Sequence, residues 1–346
     1  RFSGLIKIFP FSMIVSSISW GSDAGMTLRG FVDEPGYVKP IATLMGTLTN
    51  SGWVTSARVG ESGGWNFGLD VSIAYIGTAD HTYTFYYNNH CDSLRDEGYN
   101  CIVSDETNDG VVENAPTIFG PNTSEVYYGF FATGDASTSV YPERIDRVRS
   151  GDSDVRKWTT IPFPFFHFAY SHSHFKGGLR GLFVPSIDVL GGFYLIGIGL
   201  QYDYTRFLPP AFNAKGFNAS VAFDINKWHL SYKPDGDVTG ELLLDGLTTY
   251  TSLVTGWRFG KAELILDFGY ETSSFDAGGT MTDNEPDAGQ DPLIEPNVSV
   301  DGRNGFRVGL SVAMHLGSWQ PVVGQSLGAQ WGTTVNLIQF GKEGEK

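Results

Sequence analysis

The sequence predicts an all-β fold, a transmembrane antiparallel β-barrel of about 12 strands, within a range of roughly 10 to 14. Three observations predict this fold. The composition is rich in glycine and aromatic residues, several segments alternate strictly between apolar and polar residues, and the connections between these segments differ greatly in length. Short periplasmic turns and long extracellular loops are typical of such barrels.

The composition favours strands over helices. The 346 residues include 44 Gly, 25 Phe, 16 Tyr and 8 Trp, which suit twisted strands and tight turns. No apolar run reaches the roughly 20 residues that a membrane-spanning helix needs, so a helical membrane protein is excluded. The net charge of −15 argues against a nucleic-acid partner, because phosphates demand a basic surface.

Phe193–Thr205 shows the alternation most clearly. Its even positions are aliphatic or aromatic and its odd positions are mostly small or polar, so a strand would separate them onto opposite faces. A soluble β-sandwich is the alternative, but only a strand crossing two membrane interfaces needs aromatic residues at both ends of its apolar stripe. The residues expected to face lipid are Tyr194, Ile198, Leu200, Leu266, Leu310 and Val312.

Further strands follow from the same pattern and from β-forming composition. In chain order they are Gly52–Val59, Asn66–Gly77, Phe166–Phe175, Leu179–Ser186, Phe217–Tyr232, Thr248–Phe259, Ala262–Ser273, Arg307–Gly317, Trp319–Ser326 and Trp331–Phe340, with weaker candidates at Thr82–Tyr87 and Val126–Thr133. In Phe217–Tyr232 the apolar register slips from odd positions (Val221) to even positions (Trp228), which predicts a β-bulge.

The connections also fit a barrel. The short stretches FKGG, DVLGG and FGK contrast with long acidic stretches at Asn88–Asn122, Gly134–Trp158 and Asp276–Asn304. Cys91 and Cys101 lie in the first of these stretches with no second pair to complete a zinc site, so a disulfide in an oxidising compartment is predicted, with two unpaired thiols as the alternative.

Charged residues on the non-apolar register are expected to line the lumen. There they would either brace the barrel through ion pairs or line a path for a solute, and the first role fits a narrow barrel of this size better. The acids would face Arg180, Arg258 and Arg307 across the lumen. The residues predicted to face the lumen are Asp70, Asp203, Asp224, Arg258, Glu263, Asp267, Glu271 and Arg307.

Three motifs suggest chemistry, and each has a simpler interpretation. Gly60–Gly64 (GESGG) matches a nucleophile pattern by letter, but it joins two predicted strands and is better explained as a glycine turn. His172 and His174 could share a strand face and a metal, although a third ligand is missing. The acidic loop Asp283–Asp291 could hold Ca²⁺, but it lacks the EF-hand layout, and solvated acid is the default interpretation.

Several short stretches resemble a known family. GYVKPIATLMGTLTNSGWVTSARVGESGGWNFGLDVSIAYIG, APTIFGP, IPFPFFHF and LRGLFVPSIDV resemble a Bacteroidota-type outer-membrane barrel family that is catalogued as a domain of unknown function. That family is similar to the long-chain fatty acid transporter barrels, in which an N-terminal hatch lies inside the barrel. The chain is accordingly divided into a signal-like segment 1–24, a hatch-like segment 25–51, a barrel 52–340 and a tail 341–346.

The resemblance implies passage of a small hydrophobic molecule across the outer membrane of a Gram-negative bacterium. The alternative is a structural or interaction barrel whose extracellular loops hold a protein partner. Outer-membrane lipid and lipopolysaccharide are the expected surroundings. An enzyme is not expected, because no nucleophile, base and orienting group can be assembled from the sequence.

Overall fold

The computed structural model describes residues 35–59, 63–85, 99–103, 112–121, 127–132, 144–147, 159–186, 190–209, 212, 216–234, 238–284, 292–328 and 330–342. Its elements are the helix α1 (Pro35–Asn50) and the strands β1 (Gly64–Tyr75), β2 (Thr82–Phe85), β3 (Tyr99–Val103), β4 (Val112–Pro116), β5 (Tyr127–Ala132), β6 (Arg144–Arg147), β7 (Thr160–His172), β8 (Phe175–Val184), β9 (Leu190–Asp203), β10 (Phe217–Tyr232), β11 (Val238–Phe259), β12 (Ala262–Asp283), β13 (Leu293–Ile294), β14 (Val298–Asp301), β15 (Gly305–Met314), β16 (Val322–Leu327) and β17 (Trp331–Lys342).

Ten antiparallel strands close into a ring in the order β1, β7, β8, β9, β10, β11, β12, β15, β16 and β17, because β17 pairs back onto β1. Two short strands, β13 and β14, pair with the far end of β12 and bring the sheet to twelve strands. The predicted fold, an all-β antiparallel barrel of about 12 strands, is confirmed.

The two ends of the barrel differ. The chain enters β1 and leaves β17 at the same end, where β7 turns into β8 at Ser173 and His174 and β11 turns into β12 at Gly260 and Lys261. We call this the short-turn end. The opposite, long-loop end carries the connections 76–159 and 284–304, and the first of these contains the two small sheets β2–β4 and β3–β5–β6.

Three predicted boundaries are wrong. One predicted strand, Phe166–Phe175, runs through the turn between β7 and β8, so that FKGG begins β8 instead of linking strands. Of the stretch DVLGG, residues 190–192 begin β9 at the long-loop end and not with the short turns, and the first two residues lie outside the described part of the chain. Much of Asp276–Asn304 is strand, because β12 continues to Asp283 and β14 pairs beside it.

The alternation of the wall strands is clear in their burial. All six residues expected to face lipid are exposed, from 38% for Leu266 to 58% for Leu200, while Gly197 and Gly199 between them point inward. The predicted register slip between Val221 and Trp228 is wrong, because β10 pairs with β11 without a break and Trp228 continues the inward register of Asp224. The register of β10 shifts instead at its end, between Ser231 and Tyr232, in the pairing with β9. Trp228, Leu230 and Tyr232 are apolar on the inner face because they pack in a core inside the barrel.

That core forms around α1 in the long-loop half of the barrel. Apolar side chains at helical spacing, including Tyr37, Ile41, Leu44 and Leu48, are buried against inward residues of the wall. The helix ends at Asn50, and Gly52 follows with a φ of +75° that side-chain-bearing residues rarely adopt. No helix in the described part of the chain is both long and apolar enough to cross a membrane.

Residues 51–59 continue from α1 as an irregular chain, which we call the lumen segment. The predicted strand Gly52–Val59 is therefore wrong. A further strand has no place to pair, since the closed ring offers no free edge. Gly46 of α1 lies against Ser273, and Ala57 of the lumen segment bonds Glu263 near the other end of β12. The chain thus descends from the long-loop end towards the short-turn end before entering β1.

Candidate functional site

The candidate site is the short-turn half of the lumen, where polar side chains of the wall hold the lumen segment. Many inward positions here carry charged or hydroxyl groups, in contrast to the apolar core around α1, although a small apolar cluster that includes Val254 and Ile265 also packs around Ala57 of the lumen segment. Buried charges are costly unless they are paired or hydrogen-bonded. The partners of each charge therefore show what the arrangement does.

Arg180 of β8 holds the end of α1. Its Nη1 donates to the backbone oxygens of Thr49 at 2.9 Å and Ser51 at 2.7 Å, which the helix leaves without partners. Its guanidinium also lies 4.4 Å from the ring centre of Trp53, and Nη2 lies 3.5 Å from Asp70 Oδ2. Arg180 therefore fastens the start of the lumen segment to the wall.

Asp70 of β1 orients this arginine together with a histidine. His167 Nδ1, on the neighbouring β7, lies 2.8 Å from the same Asp70 oxygen. All three side chains are nearly inaccessible to solvent. The group is thus built from three adjacent strands, β1, β7 and β8, at one level of the barrel.

Arg307 of β15 contacts the same part of the chain from the other side. Its Nη2 donates to Ser51 Oγ at 2.7 Å and its Nη1 lies 3.1 Å from Glu271 Oε2. The ion-pair partner expected for Arg307 is therefore Glu271. Asp267 instead accepts a hydrogen bond from the hydroxyl of Tyr250, whose ring lies under the Arg307 guanidinium.

Glu263 of β12 holds the far end of the lumen segment. Its carboxylate accepts hydrogen bonds from the backbone N–H of Ala57 at 2.9 Å and the hydroxyl of Ser56 at 2.8 Å. His315 Nε2 lies 3.0 Å from the same group. A buried carboxylate with several donors is well stabilised, so this contact fixes the segment beside the short-turn end.

Trp53 occupies a niche in the wall. Its indole lies against the inward faces of Gly178, Gly197 and Gly199 in β8 and β9, and an added Cβ at Gly199 would come within 2.6 Å of it. The indole N–H donates to the Thr49 backbone oxygen at 3.1 Å. Glycines at these positions leave the space that the aromatic ring fills.

Two small cavities flank Trp53. One is lined by Lys176, Arg180, Gln201 and Asp224, among others, and the second by residues that include Arg307. Each cavity has a volume of about 30 Å³, which is enough for roughly one or two water molecules. Several buried polar atoms around the first cavity, Asp224 Oδ2 and Asn66 Oδ1 among them, have no protein hydrogen-bond partner.

The structure distributes the predicted lumen residues between two places. Asp70, Asp224, Glu263, Asp267, Glu271 and Arg307 surround the lumen segment. Asp203 and Arg258 lie instead at the short-turn rim, where Asp203 Oδ1 accepts from the Thr205 N–H and Arg258 Nε donates to the Gly260 oxygen.

Sequence reasoning missed other members of the site, namely His167, Lys176, His315, Ser51 and Trp53. The first two lie on the same inward register as Arg180, so strict parity along β7 and β8 would have found them. Trp53 gives no such signal, because its glycine partners come from distant parts of the chain.

The remaining candidate motifs lie partly outside the described residues. His172 ends β7 and His174 lies in the turn, so they do not share a strand face, and no cluster of three metal-ligating side chains occurs among the described positions. Asp283 ends β12, whereas the rest of the acidic loop, 285–291, lies outside the described residues. Ser62 of the GESGG stretch also lies outside them, as do residues 1–34.

The predicted disulfide is not supported. Cys101 lies in β3, Cys91 lies outside the described residues, and the part of the chain that the structure describes contains no disulfide.

Comparison with known families decides the relationship. Residues 34–330 match the family of unknown function DUF6588. The chain belongs to this family. The DUF6588 match covers α1, the lumen segment and every ring strand except β17. No curated protein matches the sequence.

Several solved structures are similar to this chain at low sequence identity. They include the translocator domain of the autotransporter NalP from Neisseria meningitidis, with 8% identity over 93% of this chain and 99% of that one at a TM-score of 0.28. The toluene transporter TodX of P. putida shares 9% identity over 90% and 91% at a TM-score of 0.21. A FadL homologue of Pseudomonas aeruginosa shares 8% over 81% and 88% at 0.19.

Proposed function

We propose that the protein is an outer-membrane β-barrel, closed at rest by α1 and the lumen segment, which we together call the plug, and that it admits a small molecule when the lumen segment and the end of α1 move. The closed ring with an outward belt of exposed apolar side chains supports the membrane location, because a soluble barrel would bury such a belt. Lipid and lipopolysaccharide would then surround it, with the long loops outside the cell. We propose no enzymatic activity.

The observation that carries the proposal is the contrast between the two halves of the lumen. A plug that only seals the barrel would be most stable if it were apolar, since buried ion pairs are often less stabilising than apolar packing. The half around α1 follows this rule. The half around the lumen segment follows it only in the small cluster around Ala57, because elsewhere Arg180, Arg307 and Glu263 hold the segment through hydrogen bonds beside water-sized cavities. Such contacts can be exchanged for water or solute when the segment moves.

The solute class is a separate question. The family resemblance predicts a hydrophobic molecule, and we retain passage of a small molecule as the proposal. The polar lining of the short-turn half does not favour a purely apolar solute.

Two engineered disulfides, each of which we call a lock, test the movement. The hydroxyls of Thr49, at the end of α1, and Thr248, in the wall, lie 2.6 Å apart, so the variant T49C/T248C places two sulfurs where a disulfide can tie the plug to the wall. The hydroxyls of Thr249 and Thr272 lie 2.7 Å apart on neighbouring wall strands. T249C/T272C is therefore a matched lock that leaves the plug free. Both are made with Cys91 and Cys101 replaced by serine.

Conductance in planar bilayers with potassium chloride is the measurement. We expect transient conductance from both reduced variants, its loss when T49C/T248C is oxidised, and its return with reductant, while oxidation of T249C/T272C changes little. Equal conductance of the oxidised and reduced T49C/T248C protein would contradict a moving plug. No conductance or solute passage from any variant would overturn the passage function altogether.

A second candidate function is an anchor for a surface partner, and one observation favours it. Ile118 and Phe119, from the 76–159 connection, belong to the same buried core as α1, and the Ile118 N–H donates to the Tyr37 oxygen. Arg303 also reaches Asp80 of that connection at 3.0 Å. The extracellular elements are thus fixed to the plug. Absence of conductance in the experiment above would leave this anchor function as the better explanation.

A further inference from the structure

The wall niche of Trp53 fits a flat ring. The glycines of β8 and β9 form its floor, and the guanidinium of Arg180 covers the ring at 4.4 Å from the centroid. Trp53 is only partly buried, because the small cavity described above lies beside its indole. If the lumen segment withdraws, the space of the indole joins this cavity.

Asp224 faces this space with an oxygen that has no partner. It is 2% exposed, lines the cavity, and its Oδ2 makes no hydrogen bond with the protein. Every other buried carboxylate in the described part of the chain is engaged, for example Asp70 by Arg180 and Glu263 by Ala57. A buried carboxylate without a donor is costly, so Asp224 is suited to receive an ammonium group from a ligand.

Lys176 lines the same cavity and depends on the lumen segment for its partner. Its Nζ donates to the Thr55 hydroxyl at 2.8 Å. Withdrawal of the segment removes Thr55 and leaves the ammonium of Lys176 free for an anion. The wall then presents a carboxylate, an ammonium and an aromatic niche around one space.

We propose that this space is a binding site for a small aromatic zwitterion of the size of a free aromatic amino acid. The ring of the solute takes the place of the Trp53 indole, its ammonium group binds Asp224, and its carboxylate binds Lys176. A zwitterion leaves the net charge of the layer unchanged, which a simple cation or anion does not. The inference rests on the proposed function, because the site opens only when the lumen segment moves.

Solute and segment exclude each other in this arrangement. Trp53 acts as a tethered stand-in for the solute, and its N–H bond to the Thr49 oxygen connects the niche to the end of α1. A solute that binds only the open state shifts the equilibrium towards that state. The solute therefore holds the plug open, and its departure lets Trp53 return.

The rate at which T49C/T248C forms its disulfide reports on the closed plug. We expect tryptophan to slow this oxidation and to leave that of T249C/T272C unchanged. Indolepropionate lacks the ammonium group and tryptamine lacks the carboxylate, so each should need at least about tenfold higher concentration for the same slowing. D224N removes the partner of the ammonium group, so this variant should need as much tryptophan for the same slowing as the unaltered site needs indolepropionate. K176M removes the partner of the carboxylate, so it should need as much tryptophan as the unaltered site needs tryptamine. D245N and K227M, on the outer face, are the matched controls and should change nothing.

Equal effects of tryptophan, tryptamine and indolepropionate, or an unchanged response of D224N, would overturn the site. Uptake of tryptophan into vesicles that contain the protein separates this inference from the proposed function. Slowed oxidation without uptake supports the site and contradicts passage. Conductance that depends on the lock, with no selective slowing by tryptophan, supports passage and contradicts the site.

Discussion

Arg180 and Arg307 bind the same residue, Ser51, from opposite sides of the barrel. Their strands, β8 and β15, are five strands apart in either direction around the ring of ten. One arginine takes the backbone oxygen and the other the hydroxyl, each at 2.7 Å. The end of α1 is therefore held at the middle of the lumen between two positive charges.

Replacing Arg180 should destabilise the barrel strongly. R180M leaves Asp70 without its arginine, the Ser51 backbone oxygen without its donor and the Thr49 oxygen with only the Trp53 N–H. Breaking a buried pair in this way costs about 3–5 kcal/mol. R258M at the exposed rim is the control and should cost less than about 1 kcal/mol. The free energies of unfolding are measured by urea-dependent folding into lipid vesicles. Equal losses for the two variants would show that Arg180 does not hold the plug.

Polar substitutions at two neighbouring positions of β15, one facing outward and one facing inward, should differ in their cost in folding free energy. L310R puts a charge on the outward face and should cost about 2–4 kcal/mol if it lies near the bilayer midplane. S311N, one residue further on the inward face, should cost much less. The same urea titration compares them, and equal tolerance would contradict a lipid-facing belt on this strand.

The two glycines Gly199 and Gly178, which lie against Trp53, should differ in their tolerance of substitution by alanine. A Cβ at Gly199 would lie 2.5 Å from Asp224 Oδ1 and 2.6 Å from the indole, so that both side chains would have to shift, whereas a Cβ at Gly178 would lie 3.4 Å from the indole. G199A should therefore cost about 1–3 kcal/mol of folding free energy and G178A less. G199A should also slow disulfide formation in T49C/T248C, since Trp53 is bonded to Thr49. Matching stability and oxidation rates for both variants would contradict a tight niche.

The two ends of the barrel should differ in accessibility on intact cells. T280C lies on β12 towards the long-loop end and K261C lies in the turn between β11 and β12, and both positions are exposed. In a background without native cysteines, a membrane-impermeant maleimide should label T280C in whole cells and K261C only after lysis. Labelling of K261C in whole cells would show that the short-turn end faces the outside of the cell, opposite to the predicted orientation.

The sequence predicted the direction of a side chain best where that direction depends only on the residue's position along its own strand. Tyr194 and Leu200 were assigned correctly to the outer surface, because the alternation of a strand is local and the membrane selects its apolar side. Trp228 was misread, because an apolar residue on the inner face is explained only by α1, which comes from elsewhere in the chain. The parity rule found Asp224 and Arg307 as inward residues, but it could not show that a tryptophan distant in sequence lies between them.

The pairing of β1 with β17 joins the two ends of the barrel sequence. Contacts between such distant residues carry the largest loop-closure entropy, so this seam should be the last to form during folding. The lumen segment leads directly into β1, and it must already lie inside when the seam closes. Side chains such as Trp53 and Ser51 therefore act during assembly, when the strands gather around the chain they will enclose, and a variant that weakens their contacts should slow barrel closure.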